Sequence, residues 1–401
     1  MADLATAETP DVILHQVIEA APGGERIRSC LQCGACSGVC PYGFAMAYPP
    51  HALIAELRAR EFERVLERDT IWLCVSCFAC TESCPAKIPL TNGLLTFVKT
   101  QMLLKGGVPS ELQLALENSH RYGNTLGESP RKRADWAKDL TIPVPVMAKH
   151  KEPVDVLWYV GDYASYHPRA QQVTRALAKV LQALGVRFGI LGPEESSDGD
   201  AQCLAGERGL FELLSQKNMS AMSKYSFKEV LTSDPHAYNV FRNEYPRMGF
   251  SFPVRHYTQF LADHVDQLRL RMRLGEPTRV AYHDPCCLGR ANQNNVYEEP
   301  RLVLEAIPAV ELVEMSHARE NSICCGGGGG GMWLDGFVWE HTETRISEWR
   351  IAEAVASGAQ VLAVACPYEP MRFEDAAKAH QGAGQVVVKD IAELLAEALV
   401  E

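Results

Sequence analysis

The sequence predicts an α+β, multi-domain chain: a small helical, cysteine-rich unit followed by a duplicated α/β unit with mainly parallel sheets. Three observations carry this prediction. Eight of the fourteen cysteines fall in two short quartets early in the chain. Beyond residue 150, short apolar runs alternate with helical patterns, as in α/β lobes. Stretches of that second region also match one another: "EVLTSDPHAYNVF" parallels "QVLAVACPYEPMRF", and "VRHYTQFLAD" parallels "VVVKDIAELLAE".

Bulk properties set the frame. With 401 residues the chain exceeds one typical domain, and 47% hydrophobic content suffices for packed cores. No apolar run approaches the length of a membrane span. The start, "MADLATAETPDVILHQVIEA", has acids and no basic n-region, so it does not read as a secretory signal. The expectation is a cytoplasmic protein, associated with a membrane only peripherally through partner subunits. A net charge of −11 speaks against nucleic-acid binding, which needs concentrated Lys and Arg. The one basic run, Arg131-Lys132-Arg133, reads as part of a solvated linker. Fourteen cysteines in such a chain point to metal or redox chemistry rather than to disulfides.

The quartets are "CLQCGACSGVCP", with Cys30, Cys33, Cys36 and Cys40, and "CVSCFACTESCP", with Cys74, Cys77, Cys80 and Cys84. Both read C-x2-C-x2-C-x3-C-P, the bacterial ferredoxin run, in which the fourth cysteine serves the other cluster. On that rule one [4Fe–4S] cubane takes Cys30, Cys33, Cys36 and Cys84, and a second takes Cys74, Cys77, Cys80 and Cys40. Zinc ligands come instead as separated C-x2-C pairs. "PPHALIAELRAREFERVLERDTIWLC" and "IPLTNGLLTFVKTQMLLKGG" show helical spacing, the latter stopped by Gly106-Gly107. Residues 20–108 therefore form a helical ferredoxin-type domain behind an extension at 1–19. Residues 109–150, rich in Pro and charge, read as a linker.

Two lobes follow, at 151–275 and 276–401. The first alternates "VDVLWYV", "RAQQVTRALAKVLQALG", "VRFGILG", "GERGLFELLSQ", "KEVLTS" and "PHAYNVFRNEY". The second alternates "TRVAYHDP", "EEPRLVLEAIP", "VELVEMS", "DGFVWEHTETRISEWRIAEAVAS" and "QVLAVACP" before a further helix. In the second lobe Cys286 and Cys287 follow the first strand, Cys324 and Cys325 the second, and Cys366 ends the third. Those are the strand C-termini, where open α/β sheets place their sites. The matching places in the first lobe hold Asp162, Glu194 to Ser197, and Asp234, so only the second lobe is expected to carry metal.

"YHDPCCLGR", "ENSICCGGGGGG" and "VACP" together resemble the cysteine-rich CCG domain of heterodisulfide reductases. "EEPRLVLEAIPAVELVEM" fits the segment between them. The N-terminal unit resembles the ferredoxin-like subunit of those enzymes. The chain is thus similar over nearly its whole length to a fused heterodisulfide reductase catalytic subunit, and to iron–sulfur subunits of related membrane complexes and flavin-linked oxidases. The resemblance implies a third, non-cubane [4Fe–4S] cluster held by a lone cysteine, a cysteine pair and a Cys-x-x-Cys. Carried over, Cys286 is the lone ligand, Cys324 and Cys325 the pair, and Cys366 the first of the last motif; these four are also the candidate catalytic residues. The chain departs from the pattern twice. Glu369 replaces the last cysteine in "CPYE", and Cys287 stands where many relatives have histidine. Either Cys287 substitutes as a ligand, or Glu369 ligates through oxygen, or four ligands hold an ordinary cube.

Six glycines after Cys325 suit close approach of backbone to a cluster and positive φ. The amides of Gly326, Gly327 and Gly328 are then donors to cluster sulfides. A flexible linker fits poorly inside an α/β lobe, and a dinucleotide fingerprint lacks the strand that should precede it. His283 and Asp284 read as fixing the turn before Cys286 rather than moving protons. Arg290 pairs either with a substrate carboxylate or structurally. His256 and His317 are proton donors or satisfied structural histidines, and Cys203 reads as a buried thiol.

Three functions compete. The first is a thiol–disulfide oxidoreductase acting on a small thiol or disulfide substrate. The second is a relay between a flavoprotein and a membrane subunit carrying quinone or haem. The third is the iron–sulfur subunit of a flavin-dependent oxidation system. No flavin or nicotinamide is expected in this chain.

Overall fold

The computed structural model describes residues 10–150, 152–273, 275–379 and 386–400. Its N-terminal part is built of short helices, the longest being Pro10–Glu19, Pro50–Ala59, Thr96–Leu104 and Ser110–Tyr122. The segment expected as one helix after the second quartet starts as a π turn, Leu90–Leu95, before Thr96–Leu104, and stops at Gly106 with φ of 74°. Each quartet contains a one-turn helix, Ala35–Gly38 and Ala79–Glu82.

The two lobes follow with one topology written twice. Strands β1 (Val156–Tyr159), β2 (Phe188–Ile190), β3 (Glu229–Thr232) and β4 (Val254–His256) form a sheet in the order β2-β1-β3-β4. Strands β5 (Thr278–Tyr282), β6 (Val310–Val313), β7 (Val361–Val364) and β8 (Val387–Asp390) form another in the order β6-β5-β7-β8. Every pairing is parallel. Strands β1 and β7 are buried at all positions, as expected of sheets covered by helices on both faces. In each order the chain leaves its first strand in one direction and returns on the other side. The crevice at that switch, at the strand C-termini, is where such sheets bind ligands.

The lobes share a core. Helix Pro168–Ala183 packs on helix Ile391–Ala398, and helix Tyr257–Ala262 on helix Glu298–Glu305. Arg169 ties the lobes further, reaching Glu374 at 2.6 Å and Glu393 at 2.7 Å.

Residues 109–150 are not a solvated linker. They contain the helix Ser110–Tyr122, and Trp136, Met147 and Arg133 are all buried. Met147 N donates to Ile190 O and Ile190 N to Pro145 O, both at 2.9 Å, so the segment borders the edge of β2. Proline and charge in this stretch serve local turns and one buried guanidinium, which a composition-based reading takes for solvated chain. The helix expected across "DGFVWEHTETRISEWRIAEAVAS" is two, Asp335–His341 and Ile346–Ala356. Thr342 breaks it, its hydroxyl donating to Thr344 O and accepting from Thr344 N.

Candidate metal centres

The two quartet loops adopt the same unusual backbone. Gln32 and Ser76 have φ of 55° and 51°, and Gly34 and Phe78 have 79° and 61°. Three of these four are not glycine, so each loop holds left-handed conformations that cost of order 1 kcal/mol apiece. The result is a curl that turns thiols inward. Cys30, Cys33, Cys36 and Cys84 line one small void with His51, Ile54 and Leu90. Cys40 lies instead among Cys74, Cys77 and Cys80, near enough for their charges to raise its pKa after burial has done so. Burial likewise pushes up the Cys36 and Cys80 thiols. None of the cysteines forms a disulfide. Crowded thiols that burial disfavours as free thiolates suit a cationic centre, and their number and grouping fit iron–sulfur cubes. The first group reaches the surface, with Cys33 exposed; Cys74, Cys77 and Cys80 are buried.

A third group sits at the C-terminal ends of β5, β6 and β7. Cys286, Cys287, Cys324, Cys325 and Cys366 are all buried. Cys324 Sγ lies 3.9 Å from Cys286 Sγ and accepts a hydrogen bond from Gly326 N at 3.3 Å. Cys77 of the second quartet and Cys324 line one cleft, and Arg290, which lines it with them, donates its Nε to Cys77 O, so the second and third groups meet there. Sequence spacing gives no sign of this contact.

The glycine run makes the contact sterically possible. A Cβ on Gly328 would lie 2.8 Å from Val75 O, and one on Gly329 would lie 2.3 Å from Ser76 Oγ. Gly329 and Gly330 also have φ of 56° and 97°. Bare backbone therefore seats directly against the second quartet loop. Lys99, fully buried, fastens the join: its Nζ donates to Cys74 O at 2.7 Å and to Gly329 O at 2.9 Å. Nothing in the helical pattern around Lys99 distinguishes it from a solvated lysine.

The turn before Cys286 is heavily braced. Asp284 accepts both guanidinium nitrogens of Arg301, at 2.7 and 2.9 Å, and Arg319 N at 2.8 Å. His283 Nδ1 accepts from Arg350 Nε at 3.0 Å, so its proton is on Nε2. That nitrogen faces Glu369 Oε1 at 3.2 Å without hydrogen-bond alignment, and with Cys325 the three form a compact group. Burial holds the Glu369 carboxyl well above the usual range, and its Oε2 accepts from Ala365 N at 3.3 Å. Arg290 spends Nε on Cys77 O at 3.1 Å and Nη1 on Ser322 O and Glu320 O, while Nη2 has no protein partner.

His256 is structural. It is fully buried, caps the helix Tyr257–Ala262, and burial pushes its pKa down to about 3. His317 is half-exposed and paired with Glu353. It lines a cleft of about 580 Å³ together with Cys40, Cys77, Cys324 and Arg290. Cys203 is only partly buried and stands apart, 3.9 Å from Arg208 Nη1.

The first lobe supplies two side chains the sequence reading missed. His236 Nδ1 is 2.6 Å from Asp200 Oδ2 and 3.4 Å from Cys287 Sγ, and Cys366 is the ring's other neighbour in the third group. The signal was present in "DPHAYN", two residues past the counterpart of Cys366. The first lobe's own crevice is filled by protein. Arg133 Nη2 donates to Asp162 Oδ1 at 2.5 Å and Arg133 Nε to Glu195 O at 3.0 Å, and Glu195 accepts from Val160 N and Gly161 N.

Two thiol groups on matched loops and a third in the crevice of a duplicated parallel α/β unit define an iron–sulfur protein. Residues 26–88 match the model of a 4Fe-4S dicluster domain, and residues 156–242 and 280–368 each match a cysteine-rich domain, CCG. The chain is 37% identical to a probable iron–sulfur-binding oxidoreductase of Bacillus subtilis, over 84% of this chain and 47% of that protein. It is 31% identical to an EtfAB:quinone oxidoreductase of Syntrophomonas wolfei, over 84% of this chain and 47% of that one. It is 30% identical to a subunit of the dihydromethanophenazine:CoB–CoM heterodisulfide reductase of Methanosarcina mazei, over 92% of this chain and 93% of that one. The chain belongs to the heterodisulfide reductase-like family of iron–sulfur proteins, those that join a dicluster domain to paired CCG domains. It spans only about half the length of the first two relatives. Among the described residues, no helix is long and apolar enough to cross a membrane.

Proposed function

We propose that the chain is a redox subunit that moves electrons between a partner and a buried third centre, where a small disulfide or thiol reacts. Cys30, Cys33, Cys36 and Cys84 would hold one cubane, Cys74, Cys77, Cys80 and Cys40 a second, and Cys286, Cys324, Cys325 and Cys366 a third iron–sulfur centre beside Cys287. Such clusters, when bound, supply one-electron storage and transfer. The seating of the glycine run on the second quartet loop, with Cys77 and Cys324 lining one cleft, carries this reading, because it sets the second thiol group beside the third.

The protein's own groups account for the rest. Lys99 and the glycine run hold the two loops together, and Gly326 N donates to sulfur. The cleft beside Cys324 opens a path for a small substrate. The unpaired Nη2 of Arg290 is available there for an acidic group, and His317 stands in the cleft wall. Reducing a disulfide consumes two electrons and two protons. The partner would meet the exposed first group, near Cys33 and Leu31. A flavoprotein, or a membrane subunit carrying quinone or haem, fits that role.

Glu369 in place of the last cysteine favours a second reading, in which the third centre only relays electrons between flavoprotein and quinone. One experiment separates the two. The chain is purified anaerobically, and iron content and EPR are recorded as isolated, oxidised, and oxidised with added thiol. About twelve irons per chain and an oxidised-state signal altered by thiol are expected. About twelve irons with a thiol-insensitive signal would favour the relay. About eight irons, with cubane signals alone, would rule out a third centre.

A further inference from the structure

The third thiol group is one residue short of the family pattern, and the residue that compensates comes from the other lobe. We propose that His236, contributed by the first lobe, is a nitrogen ligand of the third iron–sulfur centre, with Asp200 as the positioning residue that orients it. The inference rests on the reading that this centre exists.

Four observations converge on the ring. His236 is 4% exposed, at the N-terminal turn of the helix Pro235–Asn243, and its own amide donates to the capping Asp234 side chain. Its Nδ1 lies 2.6 Å from Asp200 Oδ2, and an acceptor-only carboxylate there fixes the proton on Nδ1. Against burial, the carboxylates of Asp200 and Asp234 favour the protonated ring, and a bound metal would displace the Nε2 proton; in the neutral ring Nε2 is the nitrogen with a free lone pair. Metal-bound imidazoles are characteristically arranged this way, one nitrogen on the metal and the other donating to a carboxylate. Asp200 is itself fixed, its Oδ1 accepting from Asn239 Nδ2 at 3.0 Å. The ring also packs against Tyr368, with centroids 5.0 Å apart, and stands in one compact group with Cys366.

The competing donors are less well placed. Both oxygens of Glu369 face inward to their own lobe, toward Ala365 N and His283 Nε2. His283 has its Nδ1 lone pair committed to Arg350, which leaves a proton rather than a lone pair on Nε2. Cys287 lies beside Asp200 and the Nδ1 side of His236, at 3.9 and 3.4 Å. The bare lobe thus has a use: it has no thiols at its own strand ends and supplies an imidazole across the interface. Replacing a thiolate with a neutral imidazole removes one negative charge, which raises a cluster's reduction potential.

The test uses the full chain, loaded anaerobically, as wild type at natural abundance, as wild type labelled with 15N-histidine, and as His236→Cys. Iron content, pulsed EPR and a redox titration are recorded. The expected result is about twelve irons, with a directly bonded nitrogen coupling that changes from the 14N to the 15N pattern on labelling. In His236→Cys that coupling is lost, iron is retained, and the third centre titrates at lower potential. About twelve irons without a directly bonded nitrogen, or with a coupling that survives in His236→Cys, would overturn the inference and leave the third centre standing. About eight irons in the wild type would overturn both. Should His236→Cys fail to fold, the labelled wild type decides alone.

Discussion

The two lobes have the same strand order and opposite contents. At the C-terminal ends of β5, β6 and β7 stand five thiols; at the ends of β1, β2 and β3 stand Asp162, Glu195 and Asp234 with Arg133 among the first two. A crevice of this kind points backbone amides and polar loops into a small, buried volume, so it needs charge or metal to fill it. In the second lobe five thiols fill it and would serve as ligands. In the first, a guanidinium from residues 109–150 closes the volume instead. The difference teaches that a crevice without thiols has to be plugged, and that the plug becomes part of the fold.

The largest effect should follow from removing that plug. Arg133→Met leaves Asp162 and Glu195 buried without a cation, and we expect a loss of about 3–5 kcal/mol in chemical unfolding. Burial pushes both carboxyls up, and Arg133 pulls them back down. Without the arginine their folded pKa values rise further above the unfolded ones. A raised acid contributes stability at low pH and loses it as pH rises through the folded value. The defect of Arg133→Met should therefore be smallest in acid and grow with pH. Adding Asp162→Asn and Glu195→Gln should recover most of the loss and flatten its pH dependence. A single variant as stable as wild type at neutral pH would show that the arginine is not a plug.

A smaller effect concerns the join between the second lobe and the ferredoxin-type domain. Gly331→Ala places a methyl 2.3 Å from Gly326 O, a backbone atom that cannot swing aside. Gly329→Ala meets Ser76 Oγ at the same distance and is further strained by its φ of 56°. Each should cost about 1–3 kcal/mol and slow electron exchange between the second and third centres. Gly336→Ala is the control, since its nearest neighbour is Glu111 Oε1 at 3.7 Å and it lies in a helix. That change should stabilise by about 0.5–1 kcal/mol and leave exchange rates untouched. Equal behaviour of the three variants in stopped-flow reduction would break the claim that bare backbone couples the loops.

Much of this was legible from residue type and spacing. The quartets have a fixed spacing set by how a loop wraps a cube, and the alternation of apolar strands and helices is local. The duplication appeared because β and α periods repeat in register. What escaped depends on contacts far apart in sequence. Arg133 looked solvated because its neighbours are charged, although its partners lie 29 and 62 residues away. Lys99 meets Gly329 across 230 residues. His236 was passed over because the bare lobe seemed to have no reason for a ligand. Six glycines pointed to close approach, but sequence could not say that part of what they approach is Val75 and Ser76 as well as a sulfur.

The smallest effect sharpens the comparison most cheaply. Cys203 is the only cysteine in residues 151–275, so it tests whether the first lobe contributes any thiol to metal. Its sulfur contacts Arg208 rather than another thiol, and it packs at the margin of the first lobe's core cluster. Cys203→Ala should leave iron per chain unchanged and alter stability by less than about 1 kcal/mol. The lobe would then contribute to the third centre by its imidazole alone. Loss of roughly four irons in this variant would instead place a cluster in the first lobe, and the contrast between a plugged crevice and a loaded one would fall.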